Sequence, residues 1–96
     1  VDLFNDMLED DRYDCYILST SPWNNPSAAT DKVKWVQTYI PNAYKRLILS
    51  HNKNLNIGDY LIDDRTANGA GEFNGRLLKY GNGKHTSETL REYFDV

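Results

Sequence analysis

Cysteine is nearly missing from this chain. Cys15 stands alone among 96 residues, so no intrachain disulfide can form, and a reducing compartment is expected over secretion. Cys15 lies in an apolar, β-prone stretch and reads as a buried core thiol. Long apolar runs are lacking too: none approaches the roughly 20 residues that cross a bilayer, and Val1 opens no signal-peptide pattern. The expectation is a soluble, cytoplasmic protein with no membrane partner. There is no basic excess either. A formal net charge of -3 argues against a non-specific binder of nucleic-acid polymers, although a local basic pocket stays open. Repeats and low-complexity segments are absent. What is present, 40% hydrophobic and 26% charged residues, fits a globular chain long enough for one small domain and too short for two.

Periodicity supplies the elements. Leu3, Phe4, Met7 and Leu8 recur at helical spacing, and the Glu9-Asp10-Asp11 run ends that helix. Tyr13–Ser19 is β-prone and mostly apolar, as a buried parallel strand is. Ala29, Val33, Val36 and Ile40 predict a second helix, with Ser27 placed to cap it and Pro41-Asn42 to stop it. Arg46–Leu49, Asp59–Ile62 and Arg76–Tyr80 read as further strands. A last helix, capped by Thr86 or Ser87, sets Leu90, Tyr93 and Phe94 on one face. This order predicts an α/β fold, a mostly parallel sheet flanked by helices. The Gly- and Asn-rich stretches at 65–75 and 81–85 read as surface connections, Gly81-Asn82-Gly83-Lys84 as a turn.

In open α/β sheets ligands collect beyond the carboxyl ends of strands, and three such ends carry polar residues here. Thr20-Ser21 follow Ile17-Leu18: hydroxyls there suit phosphate oxygens, and equally suit ordinary turn chemistry. Lys53 follows Leu47-Ile48-Leu49, where an ammonium could offset phosphoryl charge or simply be solvated. Asp63-Asp64 end the third strand. Adjacent carboxylates repel, and either Mg²⁺ or solvent at a loop relieves them. The three in this order describe the phosphate and metal half of an active site.

Together, I-L-S-T-S-P-W and S-H-N-K-N-L-N-I-G-D-Y-L-I-D-D-R resemble the 5'(3')-deoxyribonucleotidase family of the haloacid dehalogenase superfamily over about residues 13–80, G-D-Y-L-I-D-D being the most specific stretch. The helix D-K-V-K-W-V, Asp31–Val36, is similar to the segment after that family's Ser/Thr motif. The resemblance implies residues 1–96 as a single partial domain, an incomplete Rossmann-like sheet carrying the second to fourth motifs. It implies that Thr20, with Ser21 beside it, bonds the phosphoryl group. It implies that Lys53 neutralises the phosphate and the aspartyl-phosphate intermediate, and that Asp63 and Asp64 help hold Mg²⁺. Lys32 falls where the family often has a lysine near the substrate phosphate; on the residue pattern alone it reads as an exposed helix lysine.

One departure outweighs these matches. The family begins with D-x-D after its first strand, the first Asp attacking phosphorus and the second serving as acid and base. No D-x-D occurs in these 96 residues. The resemblance thus implies a chain that starts downstream of the nucleophile and, alone, hydrolyses nothing. It also implies a missing strand between the Thr strand and the Asp-Asp strand. Its neighbours could pair directly, a homodimer or complementing chain could supply it, or the chain could be a fragment. The expected ligand is a nucleoside monophosphate or other small phosphate ester. The alternative is a non-catalytic remnant that binds phosphate or associates with itself. His51 and His85 have no metal-site spacing with Cys15. Trp23 could stack on a nucleobase or pack, and Trp35 reads as packing.

Overall fold

The computed structural model describes residues 1–81 and 83–96, so the turn expected at 81–84 includes one residue, Asn82, outside the described residues. The chain divides into two compact units, Val1–Ser50 with Val96, and His51–Asp95.

The first unit contains helix α1 (Asp2–Glu9), strand β1 (Ile17–Ser19), helix α2 (Ser27–Tyr39) and strand β2 (Leu47–Leu49). The strands are parallel, with Ile17 opposite Leu47, Leu18 opposite Ile48 and Ser19 opposite Leu49. The ladder continues at both ends: Ile17 N–H donates to Arg46 and Ser50 N–H to Ser19, each at 2.8 Å. Parallel strands need a crossover, and α2 provides it. Val36, Ile40 and Ala43 form the core, with Phe4, Leu8, Ile17 and Leu47 packed against them. The 3.6-residue period of α1 is what delivers Phe4 and Leu8 to one side.

Arg46, Asp59 and Tyr80 fall outside the strands expected to contain them and Asp63 falls inside one, and two differences in the first unit are larger. Only Ile17–Ser19 of the expected strand at 13–19 joins the ladder. The preceding residues are held through the Arg46 side chain, which bonds the Asp14 carboxylate, donates to the Cys15 carbonyl at 3.1 Å and lies 4.8 Å over the Tyr16 ring. Ser27 does not cap α2. Pro26 occupies that position with φ -58, and the Ser27 hydroxyl donates to Asn25 Oδ1 at 2.7 Å. Cys15, expected as a buried core thiol, is half-buried; burial and then the Asp14 carboxylate push its thiol up.

The second unit contains strands β3 (Tyr60–Asp63) and β4 (Arg76–Lys79), helix α3 (Ser87–Phe94), and single 3-10 turns at Lys53–Leu55 and Ala70–Glu72. β3 and β4 are parallel from Tyr60 opposite Arg76 to Asp63 opposite Lys79. Leu61, Ala70, Leu78, Leu90 and Phe94 are buried. Tyr60 meets Phe94 and Tyr93 edge-on, at 5.1 and 5.7 Å between ring centroids. Thr86 caps α3 as expected: its hydroxyl accepts from Thr89 N–H while Thr89 Oγ1 accepts from Thr86 N–H.

Each of the four strands has one ladder partner among the described residues, so the single sheet expected from element order is two small parallel ones. The α/β class holds. β4 is entered through Gly75, where a Cβ would lie 2.4 Å from the Gly58 carbonyl and 2.5 Å from that of Asp59. Backbone cannot swing aside as a side chain does. Gly75→Ala is therefore expected to destabilise this unit by about 3 kcal/mol. A urea unfolding midpoint equal to that of the wild type would show the approach to be looser than described.

Candidate functional site

In the first unit the polar groups gather at the carboxyl end of β1. Ser19 closes the strand and Thr20 follows it. Lys32, from the second turn of α2, reaches back: its Nζ donates to Ser19 Oγ at 2.6 Å and to the Thr20 carbonyl. An ammonium has three N–H groups, so one remains for an anion. Lys32 is half-buried, unlike the exposed lysine that the helix pattern suggested. The Thr20 hydroxyl donates to the Ser50 carbonyl at 3.2 Å, and must leave it to donate to a phosphoryl oxygen. Ser21 is half-buried. Lys32 also lines an open groove of about 230 Å³, together with Ile17, Ser19, Trp35, Val36 and Leu47. Trp35, which the sequence pattern places in the packing, is 47% exposed, and its ring lies 5.3 Å from that of Tyr39. Trp23 is largely exposed.

In the second unit Lys53 and Asp63 face each other. Lys53 Nζ is 2.6 Å from Asp63 Oδ2, with 11% and 12% of the two side chains exposed. The 3-10 turn carries the lysine and the carboxyl end of β3 carries the aspartate. Burial by itself would raise the Asp63 carboxyl. The Lys53 hydrogen bond and the Arg65 N–H, donated to Oδ1 at 3.1 Å, outweigh it and hold the group below the usual carboxylate range. The Asp64 side chain also contributes to holding Asp63 down, and is itself 66% exposed with Arg65 Nε at 3.6 Å. The repulsion expected between adjacent carboxylates is thus relieved first by Lys53.

The donor set can be tested against Mg²⁺. Asp63 is engaged on both oxygens and Asp64 offers its own to solvent. Mg²⁺ commonly takes one or two carboxylates and fills its octahedron with water and phosphate oxygens, so Asp63 and Asp64 suit part of such a shell. Among the described residues no group of three or more His, Cys, Asp or Glu could hold a metal. His85 is used otherwise, its Nδ1 3.2 Å from Thr89 Oγ1 and its ring against Tyr93.

Sequence reasoning missed Ser19, although period two along β1 puts it on the same face as Ile17. It also missed that Lys53 and Asp63 are partners. A lysine and an aspartate after successive apolar strand patterns in the sequence were the available signal.

A family model described as "5' nucleotidase, deoxy (Pyrimidine), cytosolic type C protein" matches residues 6–93. A protein of Vibrio phage KVP40, provisionally named a 5'(3')-deoxyribonucleotidase, is 63% identical over 70 residues, which cover 72% of this chain and 41% of the relative. The chain therefore spans about two fifths of the length of the curated relative it matches. No solved structure matches. No helix of the described residues is long and apolar enough to cross a membrane. With the match reaching over all but the first five and last three residues, this chain belongs to the 5'(3')-deoxyribonucleotidase family of the haloacid dehalogenase superfamily.

Proposed function

We propose that the chain is the phosphate- and Mg²⁺-binding portion of a nucleotidase that hydrolyses (deoxy)nucleoside monophosphates. The observation that carries this is the Lys53–Asp63 pair, a nearly buried cation and anion 2.6 Å apart at the carboxyl end of a parallel strand. On this reading residues 1–96 form part of one Rossmann-like domain. Lys53 meets phosphoryl charge, and Asp63 with Asp64 contributes carboxylates to Mg²⁺, which when bound neutralises charge on phosphate oxygens. Thr20, Ser21 and Lys32 bond phosphoryl oxygens. The Lys32 ammonium, held by Ser19 and the Thr20 carbonyl, supports that role. Turnover awaits an aspartate nucleophile from elsewhere, because the 96 residues contain no D-x-D. The second reading is a non-catalytic remnant that binds phosphate or self-associates.

Isothermal titration tests binding apart from turnover. Inorganic phosphate and a deoxynucleoside monophosphate are expected to bind at roughly millimolar Kd, more tightly with Mg²⁺. Asp64→Asn is expected to remove the Mg²⁺ enhancement and leave metal-free phosphate binding in place. Absence of heat from the wild type at these concentrations would sink both readings of the site.

A further inference from the structure

Lys53 lies in a 3-10 turn of three residues, closed by Leu55 N–H to Asn52 at 2.9 Å and Asn56 N–H to Lys53 at 3.2 Å. A single turn has little stability of its own, so something outside it must fix where the lysine points. The neighbouring segment Asn68-Gly69-Ala70 touches the turn at two points. Lys53 N–H donates to the Asn68 carbonyl at 2.7 Å. Gly69, at φ 83, comes so close to Asn54 that a Cβ there would lie 2.1 Å from its Oδ1 and 3.0 Å from its backbone nitrogen. Ala70 is completely buried and anchors the segment. Asn68 is also left-handed, at φ 55, so the carbonyl that Lys53 uses is presented by two successive residues in that conformation.

We infer that Gly69 is a positioning residue for Lys53: its bare Cα lets the segment close on the Lys53 turn and aim the ammonium at Asp63. This deepens the proposed function, since it rests on Lys53 being the phosphate-facing cation. It also makes a structural claim that stands without it. A side chain at position 69 meets Asn54 and a φ that L residues resist. The segment then backs away, the Asn68 carbonyl leaves Lys53 N–H, and the ammonium loses its fixed position.

The test uses the 96-residue chain, uniformly ¹⁵N-labelled, and reads the Lys53 Nζ–H₃ correlation, which is visible when the ammonium is held in a buried hydrogen bond. Amide shifts at Leu90 and Phe94 report the fold of α3. Gly69→Ala is expected to lose the Lys53 correlation, keep the α3 shifts, and bind inorganic phosphate about tenfold more weakly, as a lost charge-assisted hydrogen bond would. Adding Asn54→Ala, which removes the Oδ1 that the new Cβ meets, is expected to restore the correlation in part. Retention of the correlation in Gly69→Ala overturns the inference. So does failure of Asn54→Ala to restore it, and so does loss of the α3 shifts in both variants, since Gly69 would then hold the whole unit and not the lysine. If the correlation behaves as expected while the wild type binds no phosphate, the inference stands and the proposed function falls.

Discussion

Lys53→Met is expected to destabilise the second unit by about 3 kcal/mol, because it removes one partner of a desolvated ion pair and strands the other. The substitution keeps most of the stem and deletes the charge. Asp63, 12% exposed, is left with the Arg65 N–H as its remaining named donor. The pH dependence should change sign as well. In the wild type the Asp63 carboxyl lies below its ordinary range, despite burial, because of Lys53 and Arg65. Its contribution is therefore complete above the unfolded value of about 3.9 and is lost as pH falls through the lower folded value. Without Lys53 the desolvation that raises the group is less opposed. Where it prevails, stability declines as pH rises through the carboxylate range. Urea midpoints measured at several pH values check both parts, and Lys53→Met/Asp63→Leu is expected to recover most of the loss by removing the orphaned charge. Equal midpoints for Lys53→Met and wild type at neutral pH would show that the pair contributes nothing.

The same pair shows where the sequence stops being informative. Helices α1 and α3 were legible because amphipathic spacing and a Thr at the cap are local signals. Strand positions were legible as well, to within a few residues. The 13–16 segment has the same β-prone composition as Ile17–Ser19, and what separates them is which backbone finds a ladder and which finds the Arg46 side chain. Side-chain direction was not legible. Lys53 and Asp63 were each read as facing a ligand, ten positions apart, and their meeting depends on the 3-10 turn and on the Asn68-Gly69-Ala70 segment, neither of which has a strong pattern. For Lys32 the helix pattern alone misleads in the opposite direction. Helical spacing suggests an exposed side chain, yet the short strand β1 ends in two acceptors, Ser19 Oγ and the Thr20 carbonyl, that draw the ammonium inward. Short polar residues at strand ends carry little pattern and decide much of the local chemistry.

On the proposed function the 96 residues alone are expected to give no phosphatase activity, and supplying an aspartate nucleophile is expected to make a Mg²⁺-dependent activity appear. Phosphate monoesters are among the slowest substrates in water, with enzymes accelerating their hydrolysis by up to ~10²¹. On the proposed function, charge neutralisation by Lys53 and metal carboxylates from Asp63 and Asp64 would lower the cost of the transition state but would provide no attacking atom. A carboxylate nucleophile splits the reaction into two displacements, and a second Asp acting as acid and base adds on the order of 10²–10⁴. Each strand has one ladder partner among the described residues, which leaves edges able to accept a further parallel strand. The experiment adds a β-prone peptide ending in D-x-D, in trans or fused to the chain, and follows para-nitrophenyl phosphate with and without Mg²⁺. Turnover should require both peptide and metal. It should vanish when the first Asp of the motif becomes Asn, and it should fall steeply in Asp63→Asn. Mg²⁺-dependent turnover by the 96 residues alone, lost in Asp63→Asn, would mean that a nucleophile already lies within them and would remove the remnant reading. A peptide that binds the chain yet yields no turnover would count against the nucleotidase assignment of this site.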